Sequence, residues 1–175
     1  MAKLYYRFGV VGSAKTLNLL AVAHNYKQQN KSVILLKPSI DTRFGERLIA
    51  SRAGLQNEAD FLIGQKLAFL YKDQIIGEQP AVEEPCEHTI IDLNRCNKLA
   101  AILVDEVQFL SVKACSSLHE VTMRCDIPIL CYGLKTDYRG KLFPGVTRLL
   151  EIADSIEEIK TTCKIPKKFT LKEIK

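Results

Sequence analysis

No apolar run in this chain of 175 residues approaches the roughly 18 residues that a helix needs to cross a bilayer, which argues against a membrane-spanning protein. Met1-Ala2-Lys3-Leu4 leads straight into strand-like alternation, with neither the apolar core nor the cleavage pattern of a signal peptide, so the expected location is the cytoplasm. The cysteines Cys86, Cys96, Cys115, Cys125, Cys131 and Cys163 include no C-x-x-C pair and no regular framework, which implies free thiols and no complete zinc site. His24, His88 and His119 likewise lack metal-ligand spacing. There is no internal repeat, low-complexity tract or interdomain linker, and the length suits one compact domain. A surplus of charge of either sign is also nearly missing from the body of the chain. The net charge is +5, but a tail in which Lys164, Lys167, Lys168, Lys172 and Lys175 stand against Glu173 carries +4 of it. That favours a solvated basic tail over a nucleic-acid surface. The expected organisation is a domain over residues 1–163 followed by a basic tail over 164–175.

Against these absences stands one dense stretch, Phe8-Gly9-Val10-Val11-Gly12-Ser13-Ala14-Lys15-Thr16. It follows an alternating apolar run and opens a helix-like one, and it approximates the phosphate-loop pattern G-x-x-x-x-G-K-S/T. In that pattern backbone N–H groups curl around phosphate oxygens, the lysine reaches the outer phosphates and the hydroxyl sits on magnesium. Gly9, Lys15 and Thr16 fit, Gly12 and Ser13 supply small residues within the loop, and Ala14 stands where the second glycine belongs. A Cβ there intrudes on close approach of backbone to phosphate, so a weakened nucleotide grip is expected.

Leu4, Tyr6 and Phe8 alternate with Lys3, Tyr5 and Arg7, which predicts a strand before the loop. Leu19, Leu20, Ala23 and Tyr26 recur at helical spacing after it, with a polar stop over residues 28–31. Residues 32–37 form a short apolar run of the buried parallel type, completing a βαβ unit whose strand ends face a ligand crevice. The polar stretch 37–55 reads as a long functional loop. Beyond it, 60–63 predicts a short strand, 77–85 a loop and 90–98 a helix. Residues 99–104 predict a buried strand, 112–124 a helix, 127–132 another strand, 134–144 a polar loop, 146–153 a helix and 156–160 an edge strand. The fold class is therefore α/β, a P-loop NTPase (RecA-like) with a mostly parallel sheet flanked by helices.

An apolar strand ending in Asp105, in a chain that also carries a phosphate loop, is the arrangement that holds magnesium through a carboxylate. Glu106 beside it is placed to take a proton from an attacking hydroxyl, as phosphoryl transfer to an alcohol requires. Arg43 and Arg52 lie on the loop after the second strand, where a guanidinium suits developing phosphoryl charge.

Further blocks extend the pattern. These are Leu35-Leu36-Lys37-Pro38 with Asp41-Thr42-Arg43, Ser51-Arg52 with Gly54-Leu55, Asp105-Glu106-Val107-Gln108-Phe109, and the run from Tyr132 to Gly140 with Leu142-Phe143. A last block runs from Ile156 to Cys163. On these residues, through most of 1–163, the chain resembles the cytosolic thymidine kinase family of the zinc-containing, P-loop type. The D-E-x-Q-F and G-L-x-T-D-F/Y blocks are far more specific than the loop. The resemblance implies transfer of the ATP γ-phosphoryl group to the 5′-hydroxyl of thymidine or a related deoxynucleoside, with magnesium as counter-ion. It implies that Gly9, Gly12, Ser13, Lys15, Thr16 and Asp105 bind ATP, with Thr16 and Asp105 holding Mg2+. It further implies that Glu106 is the base, that Asp41 and Arg43 border the phosphoryl groups, that Phe109 stacks on thymine, that Leu134 and Tyr138 complete the nucleoside pocket, and that the protein is a homo-oligomer.

Four departures qualify what the resemblance implies. Val11 replaces a methionine common near the base, and Ala14 alters the loop. Pro166 stands at the second position of the family's C-terminal C-x-x-C after Cys163, so a structural zinc is not expected. The chain stops at Lys175, where the family continues through a zinc-supported lasso over thymidine. The implied activity is therefore reduced, since phosphoryl transfer depends on positioning. The alternative is a catalytically silent nucleotide-binding or interaction protein on the same fold.

Overall fold

The computed structural model describes residues 1–79, 87–96 and 98–161. Its centre is a six-stranded parallel sheet built from β1 (Leu4–Phe8), β2 (Ser32–Pro38), β5 (Phe61–Ile63), β9 (Leu99–Val104), β10 (Ile129–Gly133) and β11 (Ser155–Glu158), in the order β11-β1-β10-β9-β2-β5. The inner strands are apolar at successive positions because both faces are covered. Ile34, Leu36, Ile102, Val104, Ile129 and Cys131 enter one core, while Leu35, Ala101, Leu103, Leu130 and Tyr132 enter the other. Side chains that alternate across a pleated strand must supply both.

One face is covered by α1 (Lys15–Gln28), which buries Leu19, Leu20 and Ala23. The helix ends where Asn30 turns left-handed and its N–H donates to Lys27 O at 3.0 Å, a short polar residue tolerating the conformation that stops a helix. The other face takes α2 (Val112–Cys125) and α3 (Pro144–Ile152). Ser111 caps α2, its Oγ accepting from Ala114 N–H at 3.0 Å, and Pro144 starts α3 where a missing N–H costs nothing. The expected α/β architecture, a mostly parallel sheet flanked by helices, is what the chain adopts.

Two smaller sheets were not expected. β3 (Leu48–Ala50) and β4 (Gln56–Glu58) pair antiparallel inside the stretch read as a loop. β6 (Lys66–Tyr71), β7 (Gln74–Gly77) and β8 (His88–Asp92) make a three-stranded sheet whose first two strands contact α2. The helix expected over 90–98 is thereby corrected. His88–Asp92 is a strand with Ile91 buried and Ile90 exposed, and a 3-10 turn, Leu93–Arg95, follows, started by Asp92 accepting from Asn94 N–H at 3.0 Å. Thr89, Ile90 and Ile91 are β-branched and favour packing on a pleated surface over a helix. Part of the 77–85 loop, Cys86, Cys163, Pro166 and the basic tail lie outside the described residues. No helix among the described residues is long and apolar enough to cross a membrane.

Candidate active site

Four parallel strands deliver chemistry to one edge of the sheet. β1 ends at Phe8 and passes into the Gly9 loop, β2 into the segment bearing Asp41 and Arg43, β9 into Asp105-Glu106, and β10 into Leu134. Carboxyl ends of parallel strands form the ligand crevice of open α/β sheets. The ladder hydrogen bonds continue past the strand ends, Gly9 N–H to Gly133 O at 3.3 Å and Asp105 N–H to Leu36 O at 3.0 Å, so these residues sit on rigid backbone.

At this edge is a cavity of about 370 Å³. Of the predicted residues, Gly12, Lys15, Thr16, Asp41, Arg43, Asp105, Glu106 and Leu134 line it, as does Ala14. Gly9 and Ser13 do not line it and meet it through Lys15. Ser13 is buried, and Gly9 O, Val10 O and Ser13 Oγ accept from the Lys15 ammonium at 3.0, 2.8 and 3.4 Å. Burial pushes Lys15 below the ordinary lysine range, partly offset by the charges of Glu106 and Asp105. Ala14 has a φ of 60° and a ψ of 26° and precedes α1 without a side-chain cap. The second-glycine position thus makes a left-handed backbone demand as well as a spatial one. The uncapped first turn leaves backbone N–H groups at the cavity, the usual setting for an anion.

Thr16 Oγ1 donates to Asp105, 3.2 Å from Oδ2 and 3.4 Å from Oδ1. Burial, and then the neighbouring Glu106 charge, push the Asp105 carboxyl up to about 7. A hydroxyl and a buried carboxylate whose ionisation is held back by burial are an oxygen donor set that a small hard cation satisfies, so the pair fits Mg2+.

Asp41 is the hub of the cationic side. Arg43 Nε lies 2.7 Å from its Oδ1 and the Lys37 ammonium 3.6 Å from its Oδ2. Burial raises the Asp41 carboxyl, but the Arg43 hydrogen bond and the Arg43 and Lys37 charges outweigh it and leave it below the usual range. Arg43 also pairs through Nη2 with Glu106 Oε1, and these two carboxylates hold its guanidinium firmly charged.

Two residues gained no role from the sequence. Gln108 is 3% exposed; its Nε2 donates to Glu106 Oε2 at 2.5 Å and its Oε1 accepts from Leu134 N–H at 3.0 Å. It ties the expected base to the end of β10. Gly133 makes room, because a Cβ there would meet Gln108 Oε1 at 2.5 Å. Lys37 is 1% exposed and donates to Gly45 O at 3.0 Å and Leu48 O at 2.9 Å, anchoring the Asp41 segment to β2. The available signal was a lone lysine closing an apolar strand, and the glutamine inside D-E-x-Q-F.

Phe109 and Tyr138 are not in the cavity wall. Phe109, 45% exposed, meets Phe143 edge-on at 6.4 Å, and Tyr138, 87% exposed, lies beneath the Arg139 guanidinium at 5.0 Å. Both sit on segments that leave the strand edge, Phe109 on a 3-10 turn (Val107–Phe109) and Tyr138 beyond Leu134.

A family model described as thymidine kinase matches residues 2–78 and 71–173. The chain belongs to the thymidine kinase family. It is 41% identical over 171 residues to a thymidine kinase of Xanthomonas axonopodis pv. citri, covering 98% of this chain and 74% of that protein. It is 37% identical over 163 residues to a thymidine kinase of Streptococcus gordonii, covering 93% and 75%. With Lactococcus lactis subsp. lactis thymidine kinase the identity is again 37% over 163 residues, covering 93% and 76%. Membership of the thymidine kinase family gives the phosphate-loop cavity and its carboxylates a common context.

Proposed function

We propose that this chain is a phosphotransferase that moves the γ-phosphoryl group of ATP to the 5′-hydroxyl of thymidine or a related deoxynucleoside. The observation that carries this reading is the convergence of Lys15, Thr16, Asp41, Arg43, Asp105 and Glu106 on one cavity at the carboxyl edge of the sheet. Membership in the thymidine kinase family supports ATP as donor and a nucleoside as acceptor.

In this reading the free N–H groups at the start of α1 and the Lys15 ammonium receive the phosphates, Lys15 exchanging loop carbonyls for phosphate oxygens. Thr16 and Asp105 would hold Mg2+, which supplies charge neutralisation on the phosphate oxygens. Glu106 accepts the proton of the nucleoside 5′-hydroxyl as that oxygen bonds to the γ-phosphorus and the bond to the ADP leaving oxygen breaks. Gln108 fixes one Glu106 oxygen, and Arg43 shares its charge between Asp41 and Glu106 until a phosphoryl group offers a better acceptor. Leu134 supplies apolar wall for the nucleoside, with Phe109 and Tyr138 closing over the base from the rim. Expected partners are the nucleoside, ATP and further copies of the chain.

The testing experiment follows ADP release with ATP, Mg2+ and thymidine. ADP release is expected to require all three and to fall by at least about a hundredfold in Glu106→Gln, within the range that a general base contributes. Tight binding of ATP and thymidine with no release above a thymidine-free control would establish the silent nucleotide-binding alternative instead.

A further inference from the structure

The three cations that line the cavity are not equivalent. Arg43 is matched by two carboxylates, Asp41 and Glu106. Lys15 is satisfied by two loop carbonyls and the Ser13 hydroxyl. Arg52 lines the same cavity but has, among the described residues, neither an ion pair nor a hydrogen bond.

Its position is nonetheless built. Arg52 lies on the connection between β3 and β4, closed by Ser51 N–H to Leu55 O at 2.8 Å, Gly54 N–H to Ser51 O at 3.1 Å and Leu55 N–H to Ser51 Oγ at 3.1 Å. Ile49, on β3, is buried in the core beneath α1 and fixes the hairpin to the body. From there the guanidinium reaches the phosphate loop, with Nη1 3.6 Å from where a Cβ on Gly12 would stand. Gly12 has a φ of 84°, so the loop turns there through backbone a side chain rarely allows. The Arg52 charge is also among those that depress Lys15. Arg52 therefore addresses the space that Lys15 addresses, from the hairpin side.

We propose that Arg52 is an outer-phosphate clamp, its guanidinium donating to non-bridging oxygens of the β- and γ-phosphates of a nucleoside triphosphate. The inference rests on the ATP-dependent reading above and deepens it. A planar fork of donors with no protein acceptor among the described residues suits two phosphate oxygens at once, which a lysine cannot match. It also gives the site a cationic contact that needs no exchange of partners, beside a loop in which Ala14 places a methyl group on the cavity wall.

The test is calorimetric titration of ATP, ADP and AMP, with Mg2+ present, and of thymidine, into the full chain and its Arg52→Gln and Arg52→Lys variants. In Arg52→Gln, ATP affinity is expected to fall about tenfold or more, the weight of a charge-assisted hydrogen bond, with AMP and thymidine unchanged. Arg52→Lys is expected to recover part of the loss, because the charge remains and the fork does not. ATP affinity in Arg52→Gln within about twofold of the unaltered chain overturns the clamp, because the proposed fork to two phosphate oxygens is expected to weigh about tenfold or more. Equal weakening of ATP, AMP and thymidine also overturns it, because that pattern marks distortion of the hairpin. If the unaltered chain binds no ATP, the phosphoryl-donor reading fails and the clamp with it. ATP binding that ignores residue 52 defeats the clamp alone.

Discussion

Ala14 and Asp105 are the residues whose local physics makes the sharpest demands. Ala14 occupies left-handed backbone, which costs an L-residue about 1–2 kcal/mol. Glycine removes that cost but adds about 0.5–1 kcal/mol of unfolded-chain entropy. Ala14→Gly is therefore expected to leave stability unchanged or raise it by up to about 1.5 kcal/mol in urea unfolding, and to tighten ATP binding. A lower midpoint would contradict the strain. Asp105, raised to about 7 against an unfolded value near 4, keeps its proton in the folded state across that interval. The folded state then binds more protons than the unfolded one, so this residue's contribution to stability falls as pH rises from about 4 to about 7. Mg2+ needs the carboxylate, so its affinity should climb between about pH 6 and pH 8 with proton release below about 7. Titrations in buffers of different ionisation enthalpy read both effects, and Asp105→Asn should abolish them. The placement of Lys15 and Thr16 at the cavity was legible because loop spacing puts them on the first turn of α1. Gln108 was not, because its role depends on Leu134, distant in sequence and brought near only when β9 and β10 pair.

At the level of elements, one buried side chain ties three points of the segment after β2 together. Lys37 bridges Asp41, Gly45 O and Leu48 O. Lys37→Met keeps the volume but leaves Asp41 a buried carboxylate with Arg43 alone and strips two carbonyls of a donor. A loss of about 3 kcal/mol is expected in denaturant unfolding, with faster amide exchange over residues 41–48. Gln108→Met tests the other tie. It releases one Glu106 oxygen and orphans the Leu134 N–H, so the rate constant for turnover should fall at least about tenfold with the KM for ATP little changed, as loss of positioning predicts. A rise in the ATP KM with turnover intact would place Gln108 in the phosphate site. The strands followed continuous apolar runs where both sheet faces are buried. They did not where a short sheet has one exposed face. The turn joining β6 to β7 has Lys72 and Asp73 both left-handed, at φ 48° and 62°, a tight hairpin turn without the Asn-Gly sequence that would announce it. β3 and β4 are three residues each and carry Gln56, Asn57 and Glu58, so they show no apolar alternation to read.

In the molecule as a whole, the strand order β11-β1-β10-β9-β2-β5 brings residues far apart in sequence to one edge. β10 separates the phosphate-loop strand from the Asp105 strand, and β2 follows on the far side, so Lys15, Asp105, Glu106 and Asp41 can meet around a single cavity. Ordering of the strands could not be read from any one stretch, yet the block pattern already carried the family, because spacing between loop, carboxylates and the later glycine-rich block is fixed by the same sheet. Transfer of a phosphoryl group to a nucleoside hydroxyl is read from the fate of the terminal phosphorus of ATP. With γ-labelled ATP, Mg2+ and thymidine, label is expected in thymidine 5′-monophosphate and is expected to be lost with Glu106→Gln. Label appearing only in inorganic phosphate, or remaining in ATP, would contradict the account.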